Sequence, residues 1–200
     1  KLSERIHTSE TIMDLEAFPE SLAIIGSGYI GLEFTSTYSL FGSKVTVFGD
    51  NPKFLPRDDE DIAGLVMDEL KAQGAAFLLG TKVVRFEEVS DGVNVYFENA
   101  EGREEVKKFS AVLVATGRRP DTSELSLDKA GVKVGERGEI PVNDRLETNV
   151  PNIYALGDVH GGLQFTYLSL DDFRIIKSVL FNDGKYNLKE RKHIPFNVFV

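Results

Sequence analysis

Short apolar runs alternate with longer amphipathic stretches at the start of the chain. The runs at 22–25, 44–48 and 75–79 have the length of buried strands, and the stretches at 29–41 and 58–73 have the length and spacing of helices. Strands that alternate with helices build a parallel sheet with helices packed on its faces. The pattern therefore predicts an α/β fold.

The hydrophobic period changes to two between residues 82 and 110. Val93, Val95 and Phe97 alternate there with polar neighbours, which is typical of a half-buried strand. Residues 111–115 then form a continuous apolar run, which is typical of a strand buried in a parallel sheet. We therefore expect an antiparallel β-meander that is followed by a further strand of the parallel sheet.

The second part of the chain has a weaker pattern. Residues 150–156 predict a short strand, and residues 165–181 predict a helix. The apolar face expected for this helix consists of Phe165, Leu168, Phe173, Ile176 and Leu180.

A glycine motif, G-x-G-x-x-G, lies between the first predicted strand and the first predicted helix. Gly26 permits a tight turn, Gly28 lets the backbone approach a pyrophosphate, and Gly31 allows the helix to pack closely on the strand. The unpaired amides at the start of the helix would face the phosphates. Because a strand and a helix flank the motif, it predicts a dinucleotide site in a Rossmann-like doubly wound parallel sheet.

Composition narrows the classes of function. The 200 residues have a formal net charge of −9, which argues against a nucleic-acid partner. The apolar runs are far shorter than the roughly 20 residues that span a bilayer, so we expect no membrane partner and a cytoplasmic location. The absence of cysteine excludes disulfides and thiol catalysis within these residues. His7, His160 and His193 lack the spacing of metal ligands, and we expect no metal site.

Five segments in order carry a family resemblance: GSGYIGLEF, VTVF, VLVATGRRPDT, LETNVPNIYALGDV and LQFTYLSLDDFRI. Together they closely resemble the FAD-dependent pyridine nucleotide-disulfide oxidoreductases, the family of dihydrolipoamide dehydrogenase, glutathione reductase and mercuric reductase. The resemblance implies a lead-in at 1–20, an NAD(P)H-binding domain at 21–117 and the C-terminal half of an FAD-binding domain at 118–200. It also implies that a first FAD segment with a Cys-x-x-x-x-Cys pair and a dimerisation domain are missing, so we expect an inactive segment of a longer enzyme.

The resemblance also assigns the nicotinamide nucleotide site. The loop that would hold the pyrophosphate consists of Gly26, Ser27, Gly28, Tyr29, Ile30 and Gly31. Tyr29 matches a tyrosine that covers the flavin, although a half-buried helix aromatic would give the same pattern. Glu33 matches a glutamate that pairs with a lysine near the flavin, with a solvated helix acid as the alternative. Val83 matches a residue that packs on the adenine, with a core valine as the alternative.

The end of the second strand bears on the choice of nucleotide. An acidic residue there binds the adenosine ribose of NAD, whereas NADP sites offer arginine to the 2′-phosphate. The usual acidic position of the family falls on Gly49, and the acid stands one place later at Asp50. Because a carboxylate would repel the 2′-phosphate, we expect NAD(H) to be favoured over NADP(H), with Lys53 close enough to offer an alternative.

The remaining matches place FAD in the full-length enzyme. They are Thr116 and Gly117 at a bend near the cofactor, Gly157 and Asp158 against the flavin, and Gln164, Phe165 and Thr166 at a helix start. Asp158 would accept a hydrogen bond from a ribitol hydroxyl, or it would only cap a turn. The amides of the helix start would face the flavin pyrimidine edge and stabilise the electron-rich reduced flavin.

The resemblance implies that the full-length enzyme is an oxidoreductase, which passes hydride from NAD(P)H to FAD and then electrons to a small-molecule redox substrate. It also implies a homodimer for the full-length enzyme, whereas a monomer is possible for the present segment. LQFTYLSLDDFRI is similar to the mercuric-reductase-like branch linked to resistance against reactive chlorine species, whose members reduce hypothiocyanous acid or copper(II). Dihydrolipoamide dehydrogenase or another low-molecular-weight disulfide reductase is the first alternative, and a non-catalytic nucleotide-sensing module is the second. No catalytic residue is expected in this chain.

Overall fold

The structure is a computed structural model that describes residues 3–194 and 197–200. It divides into two compact units. Unit 1 covers Lys1–Gly117 together with Val198–Val200, and unit 2 covers Arg118–Asn197. Each unit has an apolar cluster of its own.

Unit 1 contains a five-stranded sheet in which all neighbouring strands are parallel. Its strands are β1 Ile6–His7, β2 Ser21–Ile25, β3 Lys44–Gly49, β4 Ala76–Leu79 and β8 Ala111–Val114. They lie in the order β1-β8-β2-β3-β4. The helices are α1 Tyr29–Leu40 and α2 Glu60–Ala72. A second, antiparallel sheet consists of β5 Lys82–Val89, β6 Gly92–Glu98 and β7 Glu104–Phe109. The predicted fold class, a Rossmann-like α/β sheet with an antiparallel meander, is confirmed.

The parallel sheet is covered on both faces, which explains why its strands are continuous apolar runs. Leu22 and Ile24 of β2 point into a cluster that includes Tyr38 of α1. Ala23 and Ile25, the alternate residues of the same strand, belong to a second cluster that contains residues of the meander. The meander contributes Val93, Val95, Phe97 and Phe109 to that cluster. A strand with two buried faces does not alternate between apolar and polar residues, so a short continuous apolar run is what identifies it in the sequence.

β1 is an element that the sequence pattern did not predict. Its two residues pair in parallel with Val112 and Leu113 of β8. Ile12, in the short 3-10 helix Thr11–Asp14, is fully buried in the α1-side cluster. A strand of two residues is too short to show a period, so only pairing with β8 defines it.

Unit 2 contains α3 Thr166–Phe181 and two short 3-10 helices, Gly157–His160 and Leu188–Glu190. The strand predicted at 150–156 is wrong, because the structure has there only an isolated bridge between Glu147 and Tyr154. The chain reverses over a few residues, with the Thr148 N–H donating to Ile153 and the Ala155 N–H donating to Leu146. Such a tight reversal leaves no neighbouring strand to extend the pairing.

The apolar face predicted for α3 is also wrong in part. Phe173 and Leu180 are 53% and 48% exposed. The buried residues of the helix are Leu168, Asp172, Ile175 and Ser178. They follow helical spacing, but two of them are polar, so counting apolar residues alone selected the neighbouring face.

Candidate functional site

The glycine loop lies where the strand order of the sheet reverses. From β2 the chain continues outward through β3 and β4, and it returns on the other side of β2 as β8. The loop of Gly26–Gly31, Asp50 after β3 and Thr116 after β8 follow the carboxyl ends of three adjacent parallel strands. Ligands of open α/β sheets bind at such a switch point.

Two glycines of the motif are required by the packing of the protein itself. Gly26 has φ +113°, a conformation that side chains disfavour, and a Cβ there would collide with the carbonyl oxygen of Ala115 after β8. A Cβ on Gly31 would collide with the carbonyl oxygen of Gly26 and would lie 3.3 Å from Ile24 Cγ2. The turn, α1 and β8 therefore approach each other too closely for any side chain.

Gly28 differs, because no described neighbour requires it. Its φ of −81° suits any residue, and a Cβ there would meet no described atom within 4 Å. It is also the N-cap of α1, and as a glycine it offers no side chain that would cap the helix. Helix-start amides beside open space are the donors that hold a phosphate.

Tyr29 is half-buried at the start of α1. Its hydroxyl lies 3.1 Å from both carboxylate oxygens of Asp58. Burial raises the pKa of the Tyr29 phenol, and the neighbouring Asp58 carboxylate raises it further. Glu33, one turn later, accepts a hydrogen bond of 3.2 Å from the Phe199 N–H.

Packing at the end of β3 explains why the acidic residue follows Gly49 instead of replacing it. A Cβ on Gly49 would lie 2.7 Å from Ser27 Oγ and 2.9 Å from Leu79 Cδ2, so the space of the usual acidic side chain is filled. Asp50 follows it and is exposed. Val83, on β5, is partly buried against the meander-side cluster of Phe97 and its neighbours.

The second set of predicted residues lies in unit 2. Gly157 has φ +76° and begins the 3-10 turn, and the Asp158 carboxylate, 34% exposed, lies 3.3 Å from the Arg118 guanidinium. Gln164 and Phe165 precede α3, and Thr166 is its first residue. Thr116 and Gly117 are exposed at the end of unit 1.

Comparison with known proteins gives the family. The model of the pyridine nucleotide-disulphide oxidoreductases matches residues 2–172. The chain belongs to this family. The predicted resemblance is thereby confirmed.

Two curated members of the family illustrate the relationship. The probable pyridine nucleotide-disulfide oxidoreductase RclA of Escherichia coli is 43% identical over 98% of this chain and 43% of its own length. Dihydrolipoyl dehydrogenase of Thermus scotoductus is 45% identical over 72% of this chain and 32% of its own. The chain therefore spans less than half the length of these relatives.

Two solved structures of family members superpose on most of this chain. A Cu(II) complex of the HOCl-induced flavoprotein disulfide reductase RclA from Escherichia coli superposes with a TM-score of 0.92 at 40% identity, over 98% of this chain and 43% of that one. LpdA from Mycobacterium tuberculosis superposes with a TM-score of 0.80 at 30% identity, over 88% of this chain and 37% of that one.

The sequence prediction missed a buried cluster in this family member. Asp172 on α3 is 1% exposed and accepts a 2.7 Å hydrogen bond from the Gly157 N–H. His160 Nε2 lies 2.9 Å from the same carboxylate, and the Arg191 guanidinium also contacts it. The available signal was a pair of acids, Asp171 and Asp172, in the middle of an amphipathic helix.

Burial by itself would raise the pKa of the Asp172 carboxyl. The hydrogen bonds from the His160 ring, the Arg191 guanidinium and the Gly157 N–H outweigh that effect, so the pKa is lowered. These groups therefore keep the Asp172 carboxylate ionised although it is buried. His160, which lacks the spacing of a metal ligand, lies in this cluster.

Within residues 3–194 and 197–200, no group of three or more His, Asp or Glu side chains is placed to hold a metal ion. Over the same residues, every helix falls short of the length and apolar character that a membrane span requires.

Proposed function

We propose that this chain is the nicotinamide nucleotide part, together with part of the flavin site, of a flavoprotein disulfide reductase. In this proposal the Gly26–Gly31 loop and the first amides of α1 hold the pyrophosphate of NAD(H). Gly157, Asp158 and the start of α3 hold FAD in the full-length enzyme. When bound, the flavin accepts a hydride from the nicotinamide and delivers the electrons to the acceptor.

Gly28 is the observation that carries the proposal. A glycine that neither its φ nor its described neighbours require leaves open space at the start of α1, where it also supplies no capping side chain. A bound pyrophosphate explains both features, because its oxygens accept from the first amides of α1 at a distance that a side chain would prevent. A glycine turn with only a structural role would explain Gly26 and Gly31 and leave Gly28 without a reason.

Asp50 supports a preference for NADH over NADPH. Its carboxylate is exposed directly after β3, on the side of the sheet where the glycine loop lies. A negative charge there repels the 2′-phosphate of NADPH and accepts hydrogen bonds from the ribose hydroxyls of NADH.

The acceptor that we propose is the one of the RclA branch, hypothiocyanous acid or copper(II), reached through a redox cysteine pair outside these 200 residues. The support is the 43% identity to RclA over nearly the whole chain. Dihydrolipoamide or another small disulfide is the alternative, supported by the 45% identity to a dihydrolipoyl dehydrogenase over a shorter part. A homodimer and a cytoplasmic location are further parts of this proposal, and both rest on the family resemblance alone.

The test of nucleotide binding is Gly28→Ser, read by calorimetric titration with NADH and NADPH. Serine is a favoured N-cap, so its hydroxyl would satisfy an α1 amide and would keep or raise the melting temperature. The same hydroxyl would compete with the phosphate and fill its space. We expect the wild-type chain to bind NADH more tightly than NADPH, and Gly28→Ser to weaken NADH binding at least about tenfold, or roughly 1.4 kcal/mol.

Gly64→Ser is the matched control, since a Cβ on Gly64 of α2 also meets no described atom within 4 Å. It should leave NADH binding unchanged. Unaltered NADH affinity in Gly28→Ser would contradict the pyrophosphate assignment, and tighter binding of NADPH would show that Lys53 rather than Asp50 governs the choice. NADH binding by a full-length protein that reduces none of hypothiocyanous acid, copper(II) and small disulfides would favour the nucleotide-sensing alternative.

A further inference from the structure

The Asp172 carboxylate connects three parts of unit 2. On one side it contacts the 3-10 turn Gly157–His160 at both ends, through the Gly157 N–H at 2.7 Å and His160 Nε2 at 2.9 Å. On the other side it contacts the guanidinium of Arg191. Since the carboxylate is 1% exposed, water does not compete for these bonds.

The turn is also packed closely against α3. A Cβ on Gly157 would lie 2.9 Å from Ser169 Oγ, so the turn begins in direct contact with the helix. Asp158 is the second residue of this turn and lies between the two residues that Asp172 holds. The position of the Asp158 carboxylate, which lies 3.3 Å from Arg118, therefore depends on bonds made by another residue.

We infer that Asp172 is the positioning residue of the flavin site, which fixes the Gly157–His160 turn and thereby aims Asp158. Asp172 contacts the turn from behind and does not itself bind cofactor. Arg191 balances its charge from the opposite side. The inference rests on the proposed function, because it takes Asp158 as the group that binds the flavin.

Asp171 offers a matched control on the same helix. Its carboxylate lies 2.8 Å from Arg191 Nε and accepts from the Tyr186 hydroxyl at 2.7 Å. It thus shares the arginine with Asp172 but has no hydrogen bond to the turn among the described residues. Asp171→Asn perturbs the charge cluster and leaves the Gly157 and His160 contacts intact.

The experiment is a double-mutant cycle in the full-length holoenzyme, read by the rate of FAD dissociation and by the melting temperature of the apoprotein. We expect Asp158→Ala to speed FAD loss about ten- to hundredfold, the range for a hydrogen bond to a charged group. Asp172→Asn should speed it at least about fivefold, and Asp171→Asn less than about twofold. If Asp172 acts through Asp158, the double variant loses FAD no faster than Asp158→Ala, whereas the effects on melting add.

Each outcome separates the inference from the function on which it rests. Unchanged FAD loss in Asp158→Ala would overturn the assignment of Asp158 itself. A large effect of Asp158→Ala combined with no effect of Asp172→Asn, or with additive effects on FAD loss, would overturn the positioning role alone. If Asp172→Asn does not fold, His160→Ala removes one bond to the turn and should give a smaller increase, about threefold, that is likewise absent in the Asp158→Ala background.

Discussion

Asp172 shows how one buried residue links acid stability to the site. Its pKa is lowered in the folded chain, so the folded state favours the carboxylate more than the unfolded state does. The resulting stabilisation is fully present above the unfolded pKa of about 3.9 and is lost as pH falls through the lower, folded value. Acidification below about pH 4 should therefore remove it.

We expect Asp172→Asn to lower the free energy of unfolding by about 2 kcal/mol between roughly pH 5 and 7, as for the loss of a hydrogen bond to a charged group. The difference from wild type should shrink below about pH 4, because the protonated aspartate then resembles the asparagine. Urea unfolding of both proteins across this range measures it. Asp68→Asn, at an exposed position of α2, is the control and should change stability by less than about 0.5 kcal/mol. A difference that stayed constant down to about pH 3 would show that the charge of Asp172 does not stabilise the fold.

At the scale of the element, α1 is set against the sheet by a glycine. A Cβ on Gly31 would collide with the backbone carbonyl of Gly26, and a backbone atom has no rotamer with which to yield. Gly64, in α2, is exposed with open space around its Cα. The two helical glycines therefore differ in environment while sharing the same conformational class.

Replacing each by alanine should consequently have opposite effects. Gly31→Ala should lower the free energy of unfolding by about 1–3 kcal/mol, as overpacking does. Gly64→Ala should raise it by about 0.5–1 kcal/mol, because alanine is the better helix former. Chemical denaturation of both variants and of the wild type measures these differences in the free energy of unfolding. A stabilised Gly31→Ala would mean that α1 can shift away from β2, and the close packing would then not be what fixes the glycine loop.

At the scale of the whole molecule, the proposed nicotinamide nucleotide contacts all lie in unit 1. Gly26–Gly31 and Asp50 belong to that unit, whereas Gly157 and Asp158 belong to unit 2. A ligand stabilises the folded state that binds it, by about 2.7 kcal/mol at a concentration one hundred times its dissociation constant. The effect is confined to whatever unfolds together with the site.

Saturating NADH should therefore slow amide hydrogen exchange in β2, β3 and β8 by up to about a hundredfold and leave exchange in α3 unchanged. Mass spectrometry of peptides from the two units measures both at once. Gly28→Ser supplies the control, in which the slowing should be largely lost. Equal slowing in α3 would show that the two units unfold as one.

The sequence by itself determined most of the elements of unit 1 and the family to which the chain belongs. Buried parallel strands are apolar on both faces, so 22–25, 44–48 and 111–115 were recognisable from single runs of residues. The glycine motif was recognisable for a related reason, because Gly26 and Gly31 are required by close backbone contacts of a single strand-turn-helix unit. Information of this kind is local, and local patterns survive in a linear sequence.

The tertiary structure alone decided the elements whose partners lie far along the chain. β1 exists because β8, about a hundred residues later, pairs with it. The inner face of α3 was assigned wrongly in part, since Asp172 can be buried only where the Gly157 N–H, His160 and Arg191 meet it. A carboxylate alone in an apolar core would cost several kcal/mol, so sequence patterns place it on the surface. Whether its charge is compensated depends on residues that only the folded chain brings together.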